Sequence, residues 1–230
     1  ARYAFSIWEN RVFLKLLTLI SPNDEDFRRY AFKTADFVKE FGVTNKDVYA
    51  ELEKVTDGLL KKIIQIPFVE NDKEMVFKTA LVSSFLYCRD GTGAIEAQFH
   101  PQLKPFLLQL KTKYLSYDLR NVVGLSTSSS LRFYELLKQF EKIGSRERSV
   151  TALKELLGVA DKYNDRYHNF KVRVILQAQK ELKAHTDITF DFQEIKRGKS
   201  VESVRFHIFK TRRQSEATSQ KLAPEVVELL

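Results

Sequence analysis

Residues 165–209 read DRYHNFKVRVILQAQKELKAHTDITFDFQEIKRGKSVESVRFHIF, and this stretch decides the fold. In its first part, apolar side chains recur every three or four positions, the spacing of one helix face. These side chains are Tyr167, Phe170, Val174, Ala178 and Leu182. The spacing predicts a helix over residues 166–183 whose apolar face packs on a core.

The same helix carries a polar, basic stripe away from the apolar face. Its members are Arg166, Asn169, Arg173, Gln177 and Lys180. Arg and Lys bind guanine O6 and N7, Asn and Gln pair with adenine, and the major groove admits an α-helix. Most charged helix faces are simply solvated, so the stripe alone leaves a solvated face and a DNA-reading face both open.

Two alternating runs follow the helix, at residues 188–192 and 204–208, and this pattern is typical of half-buried strands. Between them, Lys196, Arg197 and Lys199 surround Gly198, which can adopt positive φ in a turn. Residues 165–213 contain 12 Lys and Arg against 6 Asp and Glu. Their net charge of +6 is most of the chain's formal +8. Localised charge of this kind marks a surface for a polyanion, and the turn is expected to contact phosphates.

Composition predicts a globular protein with room for two small domains or one large one, since 43% of its 230 residues are hydrophobic. The single cysteine, Cys88, cannot form an internal disulfide and is expected to be a buried, inert thiol in a reducing cytoplasm. Arg11 and Lys15 interrupt the most apolar segment, residues 5–20. We therefore expect neither a membrane span nor a signal peptide, and a cytoplasmic location.

The first half predicts a winged helix. Ser6 and Glu9 form a capping box before a helix through residue 20, and a short strand is predicted at 29–33. Thr34 is predicted to cap a short helix that Gly42 ends, and Asn45 to cap a longer helix through residue 60. Strands are then predicted at 63–69, 75–87 and 94–99, with a turn at 91–93.

The second half repeats this order after a polar connector, residues 126–130. A helix through Phe140 and a short helix from the cap Ser149 to Leu157 precede the long basic helix and its hairpin, and residues 153–159 align without gaps on 37–43. The predicted fold class is α+β, two winged-helix domains in tandem with a pseudo-twofold internal repeat. The predicted domains are 1–122, for dimerisation and backbone contacts, and 123–215, the principal DNA reader, followed by a tail at 216–230.

The two predicted reading helices differ in charge. Residues 43–62 contain four Lys against four Asp and Glu, whereas the second half carries the positive excess. Sequence reading is therefore expected to depend mainly on the second domain.

The motifs of several enzymes are incomplete. Gly198-Lys199-Ser200 resembles the end of a phosphate-binding P-loop, but Gln193 stands where that motif needs glycine. The four histidines lack metal-ligand spacing, and Asp90-Gly91-Thr92-Gly93 lacks the Asp-Thr-Gly order of aspartic proteases. We expect no catalytic residue, metal or cofactor.

Several segments together resemble the initiator replication proteins of iteron-controlled plasmids, the iteron-binding Rep family. They are Tyr167-His-Asn-Phe-Lys-Val-Arg-Val-Ile175 through Ala178, Glu181-Leu182, Thr186-Asp187-Ile188, Phe5-Ser-Ile-Trp-Glu-Asn-Arg11 and Leu131-Arg-Phe-Tyr-Glu-Leu-Leu137. The resemblance covers at least residues 5–210.

This resemblance implies a non-enzymatic protein that binds the direct repeats of a plasmid origin as a monomer, helps to open the duplex and recruits host replication proteins such as an initiator and a helicase. It also implies a homodimer, in equilibrium with the monomer, that binds an inverted repeat and represses its own promoter. The predicted DNA contacts are Arg166, Asn169, Lys171, Arg173, Gln177, Lys180, Lys196, Arg197 and Lys199.

Two other functions stay open at this point. A tandem winged-helix transcription regulator would bind DNA without a role in replication. A protein–protein interaction module would leave the basic stripe as a solvated face.

The predicted dimer surface is the strand at 75–87 and its hairpin partner. Val76, Ala80, Val82 and Phe85 supply its apolar side chains, although all four could equally lie in the core of the domain itself.

Overall fold

In the computed structural model, the described residues are 4–21, 24–44, 47–89, 91–108, 114–163, 166–211 and 225–229. They fall into two compact units. Unit 1 comprises Ala1–Tyr117 with Pro224–Leu230, and unit 2 comprises Asp118–Ala223. Most of the predicted tail, residues 216–224 and 230, lies outside the described residues, and 225–229 form a strand.

Unit 1 contains four α-helices and seven strands among its described residues, β6 ending one residue beyond it. In chain order they are α1 (Ile7–Leu17), β1 (Tyr30–Lys33), α2 (Thr34–Phe41), α3 (Val48–Leu60), β2 (Ile63–Glu70), β3 (Lys73–Ala80), β4 (Val82–Tyr87), β5 (Ala94–Phe99), α4 (Lys104–Leu107), β6 (Tyr114–Asp118) and β10 (Glu225–Leu229). β1, β5 and β4 form an antiparallel sheet in that order, and β6 pairs with β10.

Local sequence explains the beginning of α1 and the end of α2. The predicted capping box is confirmed, because the Ser6 hydroxyl accepts from Glu9 N and the Glu9 carboxylate accepts from Ser6 N. α1 ends at Leu17, three residues before the predicted end. Gly42 ends α2 at φ +59°, in the left-handed region that glycine occupies without a steric cost.

Two predicted caps have other outcomes. Thr34 is not the N-cap of α2, because the helix begins at Thr34 after Lys33, and the Thr34 hydroxyl instead donates to Gly93 O at 2.9 Å. This bond ties α2 to the turn before β5. Asn45 lies outside the described residues.

The strand predicted at 75–87 is wrong as a single element. Leu81, which is 1% exposed, separates β3 from β4, and the two strands belong to different sheets. β3 pairs with β2 in an antiparallel hairpin that follows α3 in the chain and precedes β4. Cys88 follows β4 and is half-buried, not fully buried as predicted.

Unit 2 repeats the order of elements without the inserted hairpin. They are α5 (Arg120–Val123), α6 (Ser128–Lys138), β7 (Ser145–Ser149), α7 (Val150–Leu156), α8 (Tyr167–Phe170), a π-helical turn (Lys171–Ile175), α9 (Leu176–His185), β8 (Ile188–Arg197) and β9 (Ser200–Lys210). We call the continuous helical run over residues 167–185 the long helix. β7 was not predicted; it pairs with β9, so the sheet order is β7–β9–β8.

The aligned segments 37–43 and 153–159 form the same helix end in both units. Gly158 has φ +65°, matching Gly42. Val43 N donates to Val38 O at 3.1 Å, and Val159 N donates to Lys154 O at 2.9 Å. Both helices therefore end in the same glycine-dependent turn, which supports the internal repeat.

Aromatic side chains fill both cores. In unit 1, Phe37 is fully buried and packs on Phe41, with ring centroids 4.7 Å apart. In unit 2, Phe133, Phe190 and Phe206 are at most 1% exposed, and their centroids lie 5.4–5.5 Å apart. Each unit can thus hold its surface helices on a packed core. No helix in the described part of the chain has both the length and the apolar character needed to span a membrane.

Candidate nucleic-acid interface

The apolar side of the long helix is anchored as predicted. Phe170, Val174, Ala178 and Leu182 are at most 2% exposed, and the helix packs against α6 and β8. Tyr167, at the start of the apolar face, is half-buried, and its hydroxyl donates to Glu194 on β8 at 3.1 Å. The core therefore fixes which side of the helix faces solvent.

A π-helical turn changes the phase of the helix. The N–H of Leu176 donates to Lys171 O, five residues earlier, so this turn contains one residue more than an α-helical turn. Two consecutive residues in this turn, Val174 and Ile175, are buried at 2% and 0% exposure. Residues after the turn are rotated relative to the positions that a uniform helix predicts.

Four of the predicted DNA contacts, on the long helix or directly before it, face solvent. They are Arg166, Asn169, Arg173 and Lys180. None of their side chains has a hydrogen-bond or ion-pair partner among the described residues. The three cations therefore keep their charge available for a ligand.

Gln177 lies at the edge of this face and is half-buried. Its amide Nε2 donates to Glu181 Oε1 at 2.6 Å, and the Glu181 carboxylate also accepts from the backbone and hydroxyl of Ser126. Burial opposes the charged form of Glu181, but the hydrogen bonds from Ser126 and Gln177 outweigh it and lower the pKa. The hydrogen bond to Glu181 therefore fixes the orientation of the Gln177 side-chain amide.

Lys171 faces β8. Its ammonium lies 2.7 Å from Glu194 Oε1 and 5.6 Å from the Phe192 ring centroid. The hydrogen bond from Lys171 holds the pKa of Glu194 below its usual value. The DNA contact of Lys171 stays a prediction, because its ammonium already pairs with Glu194 and joins the long helix to the β8–β9 hairpin.

The hairpin β8–β9 presents the predicted basic turn. Gly198 has φ +63° at the tip, where Arg197 pairs with Ser200 in the strand register. Lys196, Arg197 and Lys199 are exposed, and Arg197 lies 3.4 Å from Glu202 Oε1. All three cations occupy one hairpin tip, and Glu202 partly neutralises Arg197.

Three exposed residues on the long helix were missed by the sequence reasoning. Val172 and Leu176 are 44% and 38% exposed, and Lys183 is exposed one turn beyond Lys180. A uniform spacing of about 100° per residue already places Val172 and Leu176 opposite the apolar face of the helix. They were missed because only polar side chains were assigned to the open face.

The corresponding surfaces of unit 1 are different. On α3, Glu53, Lys54 and Asp57 are exposed, and a single lysine stands against three acidic residues over the whole helix. The hairpin β4–β5 carries one exposed cation near its tip, Arg89, and part of the predicted Asp90–Gly93 turn is outside the described residues. In the described ranges, His, Cys, Asp and Glu side chains form no group of three that could hold a metal ion.

Comparisons with known proteins agree with this architecture. Residues 1–138 match the family model described as initiator replication protein, WH1, and residues 149–208 match the model described as initiator Rep protein, WH2. No curated protein sequence matches the chain.

Two solved structures share the fold at low sequence identity. A crystal structure of Pi initiator protein in complex with iteron DNA is 20% identical, with 89% of this chain and 90% of that chain covered and a TM-score of 0.72. A structure of domains 2 and 3 of RctB is 10% identical, with 87% and 81% covered and a TM-score of 0.50. The predicted tandem winged-helix fold is confirmed.

Proposed function

The chain belongs to the family of initiator replication proteins, and from that premise we propose that it starts plasmid replication by binding double-stranded origin repeats with its second winged helix. The protein acts without catalytic residues, in the cytoplasm, as a sequence-specific binder. It binds direct repeats as a monomer, helps to open the duplex and recruits host replication proteins such as an initiator and a helicase.

One observation carries the proposal. The exposed side of the long helix and the tip of the β8–β9 hairpin both present cations, and the only acidic residue of the long helix, Glu181, is 6% exposed. In this arrangement the helix enters the major groove and contacts base edges, and the basic hairpin contacts the phosphates of the adjacent backbone. The crystal structure of the similarly folded Pi initiator contains iteron DNA, which supports DNA binding by this fold.

Selection of bound duplexes from a random pool tests the proposal. We expect one preferred sequence, and we expect it to recur as tandem direct repeats beside the gene. A plasmid that carries those repeats and the gene should replicate in cells, and deletion of the repeats should abolish replication.

Other outcomes separate the alternatives. A single inverted repeat without direct repeats, and no replication, would indicate a transcription regulator. Binding that shows neither sequence preference nor a dependence on salt would indicate a protein–protein module, since each neutralised phosphate contributes about 0.9 to the slope of log K against log salt.

For dimerisation, the β2–β3 hairpin is the best candidate surface. One of its faces carries Ile63, Val69 and Val76, which are 55%, 69% and 56% exposed, together with the exposed Glu74 and Lys78. Isolated two-stranded hairpins are marginally stable, and an exposed apolar face gains stability when a second copy covers it. We include in the proposal a two-fold dimer through this face that binds an inverted repeat at the protein's own promoter.

A charged substitution tests the dimer. Val82 is 1% exposed and lies in the core, so Val82→Glu would unfold the unit; Val76→Glu is the informative change. It should abolish the dimer in sedimentation and weaken inverted-repeat binding while direct-repeat binding persists, because a buried unpaired carboxylate is costly. Leu86→Glu, at a 52% exposed apolar position on β4, is the matched control and should leave the dimer intact. Equal effects of the two variants would contradict the assignment.

A further inference from the structure

Two exposed apolar side chains stand at the centre of the basic face of the long helix. Val172 and Leu176 are four residues apart, so they lie above one another on one side of the helix. They are 44% and 38% exposed, although the rest of this face is polar or cationic. They lie on the side of the helix opposite the buried Val174, Ala178 and Leu182.

The charges around this pair specify the kind of surface that could cover it. Arg173 and Lys180 flank the pair along the helix, and Lys183 follows one turn later; all three are exposed. The one acidic residue of the long helix, Glu181, is buried and bonded to Ser126. An apolar pair flanked by unpaired cations fits a ligand that carries anionic groups at its edges and an apolar group between them.

Double-stranded DNA has this character in its major groove. Its rim consists of phosphates, and among the four bases only thymine displays an apolar group in the groove, the C5 methyl. We propose that Val172 and Leu176 contact thymine methyl groups and so select thymine over cytosine at one or two positions of the site. The inference rests on the proposed function, because it requires the long helix to enter the groove.

The chemistry of the pair explains the selectivity. An apolar side chain that faces cytosine covers the N4 amino group without accepting its hydrogen bond, which leaves a buried donor unsatisfied. Against thymine, the same side chain buries a methyl group and gains hydrophobic free energy. Val172 is β-branched, so its side chain is already restricted in the helix and loses little rotamer freedom on contact.

Single replacements of thymine by deoxyuridine test the inference directly, since they remove the methyl and keep the base pair. Affinity is measured by fluorescence anisotropy at one salt concentration, on the duplex selected from the random pool. We expect a loss of roughly three- to fivefold for each contacted methyl, and no loss elsewhere.

Variants assign the effect to the two side chains. Val172→Ala or Leu176→Ala should weaken binding to the thymine duplex by a similar factor and should no longer distinguish thymine from deoxyuridine at its position. Ile143→Ala, which removes a 69% exposed aliphatic side chain from a turn of the same unit, should keep the full sensitivity. Thermal unfolding checks that the variants fold.

Three results would overturn the inference. They are a wild-type protein that ignores deoxyuridine at every position, alanine variants that keep full sensitivity, and a selected site that contains no thymine. Each of these leaves the proposed function standing if one sequence is still preferred. Absence of any sequence preference would overturn the proposed function as well.

Discussion

Helix α3 of unit 1 and the long helix of unit 2 occupy the same place in the repeated order of elements, but they present opposite surfaces. α3 exposes acidic residues on both sides of Lys54, whereas the long helix exposes cations and buries its only acid. The same core plan thus supports two surfaces. Core residues specify the fold, and exposed positions are free to differ because their substitution costs little stability.

The hairpins differ in the same way. Unit 2 passes from the long helix directly into β8–β9, whose tip carries three cations. Unit 1 inserts β2–β3 between α3 and β4, and this hairpin exposes the apolar side chains of Ile63, Val69 and Val76. Unit 2 thus concentrates exposed cations at its hairpin tip, whereas the hairpin inserted in unit 1 exposes aliphatic side chains.

The largest expected effects come from the cores that the two units share. Phe37→Ala and Leu153→Ala remove fully buried side chains at aligned positions. They should cost about 3–5 and 2–5 kcal/mol respectively, each in its own unit. Hydrogen exchange resolved by residue measures this, with the untouched unit of each variant as the control. Loss of protection in both units from either change would mean that the cores are not separate.

Next in size is the expected difference in DNA binding between α3 and the long helix, the two predicted reading helices. Arg173→Ala should reduce specific binding by about 1–3 kcal/mol and relax the preference for one base pair. Lys54→Ala on α3 is the matched control and should change binding uniformly across sequences. Titrations of specific and random duplexes decide between them. An equal loss on both duplexes for Arg173→Ala would show that Arg173 contacts the backbone only.

Substitutions at the hairpin tips should change sequence preference less. Their main effect should be on the salt dependence of DNA binding. Neutralising Lys196, Arg197 and Lys199 together should lower affinity for all sequences and reduce the salt slope by about 2 to 3, from roughly 0.9 for each phosphate contact. Arg89→Ala near the tip of β4–β5 serves as the comparison in unit 1. An unchanged slope in the triple variant would mean that this hairpin does not reach phosphates.

The smallest effect concerns acid stability. The pKa of Glu181 lies below its usual value of 4.5 in the folded state, so its ionised form contributes stability above the unfolded pKa. That contribution should disappear as the pH falls through the folded pKa. Glu181→Gln should therefore flatten the loss of unit 2 stability below about pH 4.5, measured by denaturant titration across pH. If Glu181→Gln loses stability at low pH as the wild type does, Glu181 is not a cause of that loss.

Local patterns predicted much of this fold because they depend on neighbouring residues. The Ser6–Glu9 capping box, the Ser149 cap and the Gly42 helix end all appear where the sequence placed them. The core face of the long helix was also predicted, since apolar residues three and four apart need a partner surface.

The missed elements share a different cause. β7, Ser145–Ser149, is polar and lacks alternation, so only its pairing with β9 defines it. The split at Leu81 is invisible in a run of strand-forming residues, because strand propensity does not say which sheet each half joins.

For the site, the sequence by itself determined which residue types are present, the localisation of positive charge in residues 165–213 and the glycine at the hairpin tip. The tertiary structure decided which of those side chains are available. It paired Lys171 with Glu194 and Gln177 with Glu181, and it left Val172 and Leu176 exposed. The reason is physical: helical spacing predicts the direction of a side chain, but its partners come from elements such as β8 that only the tertiary fold packs against the helix.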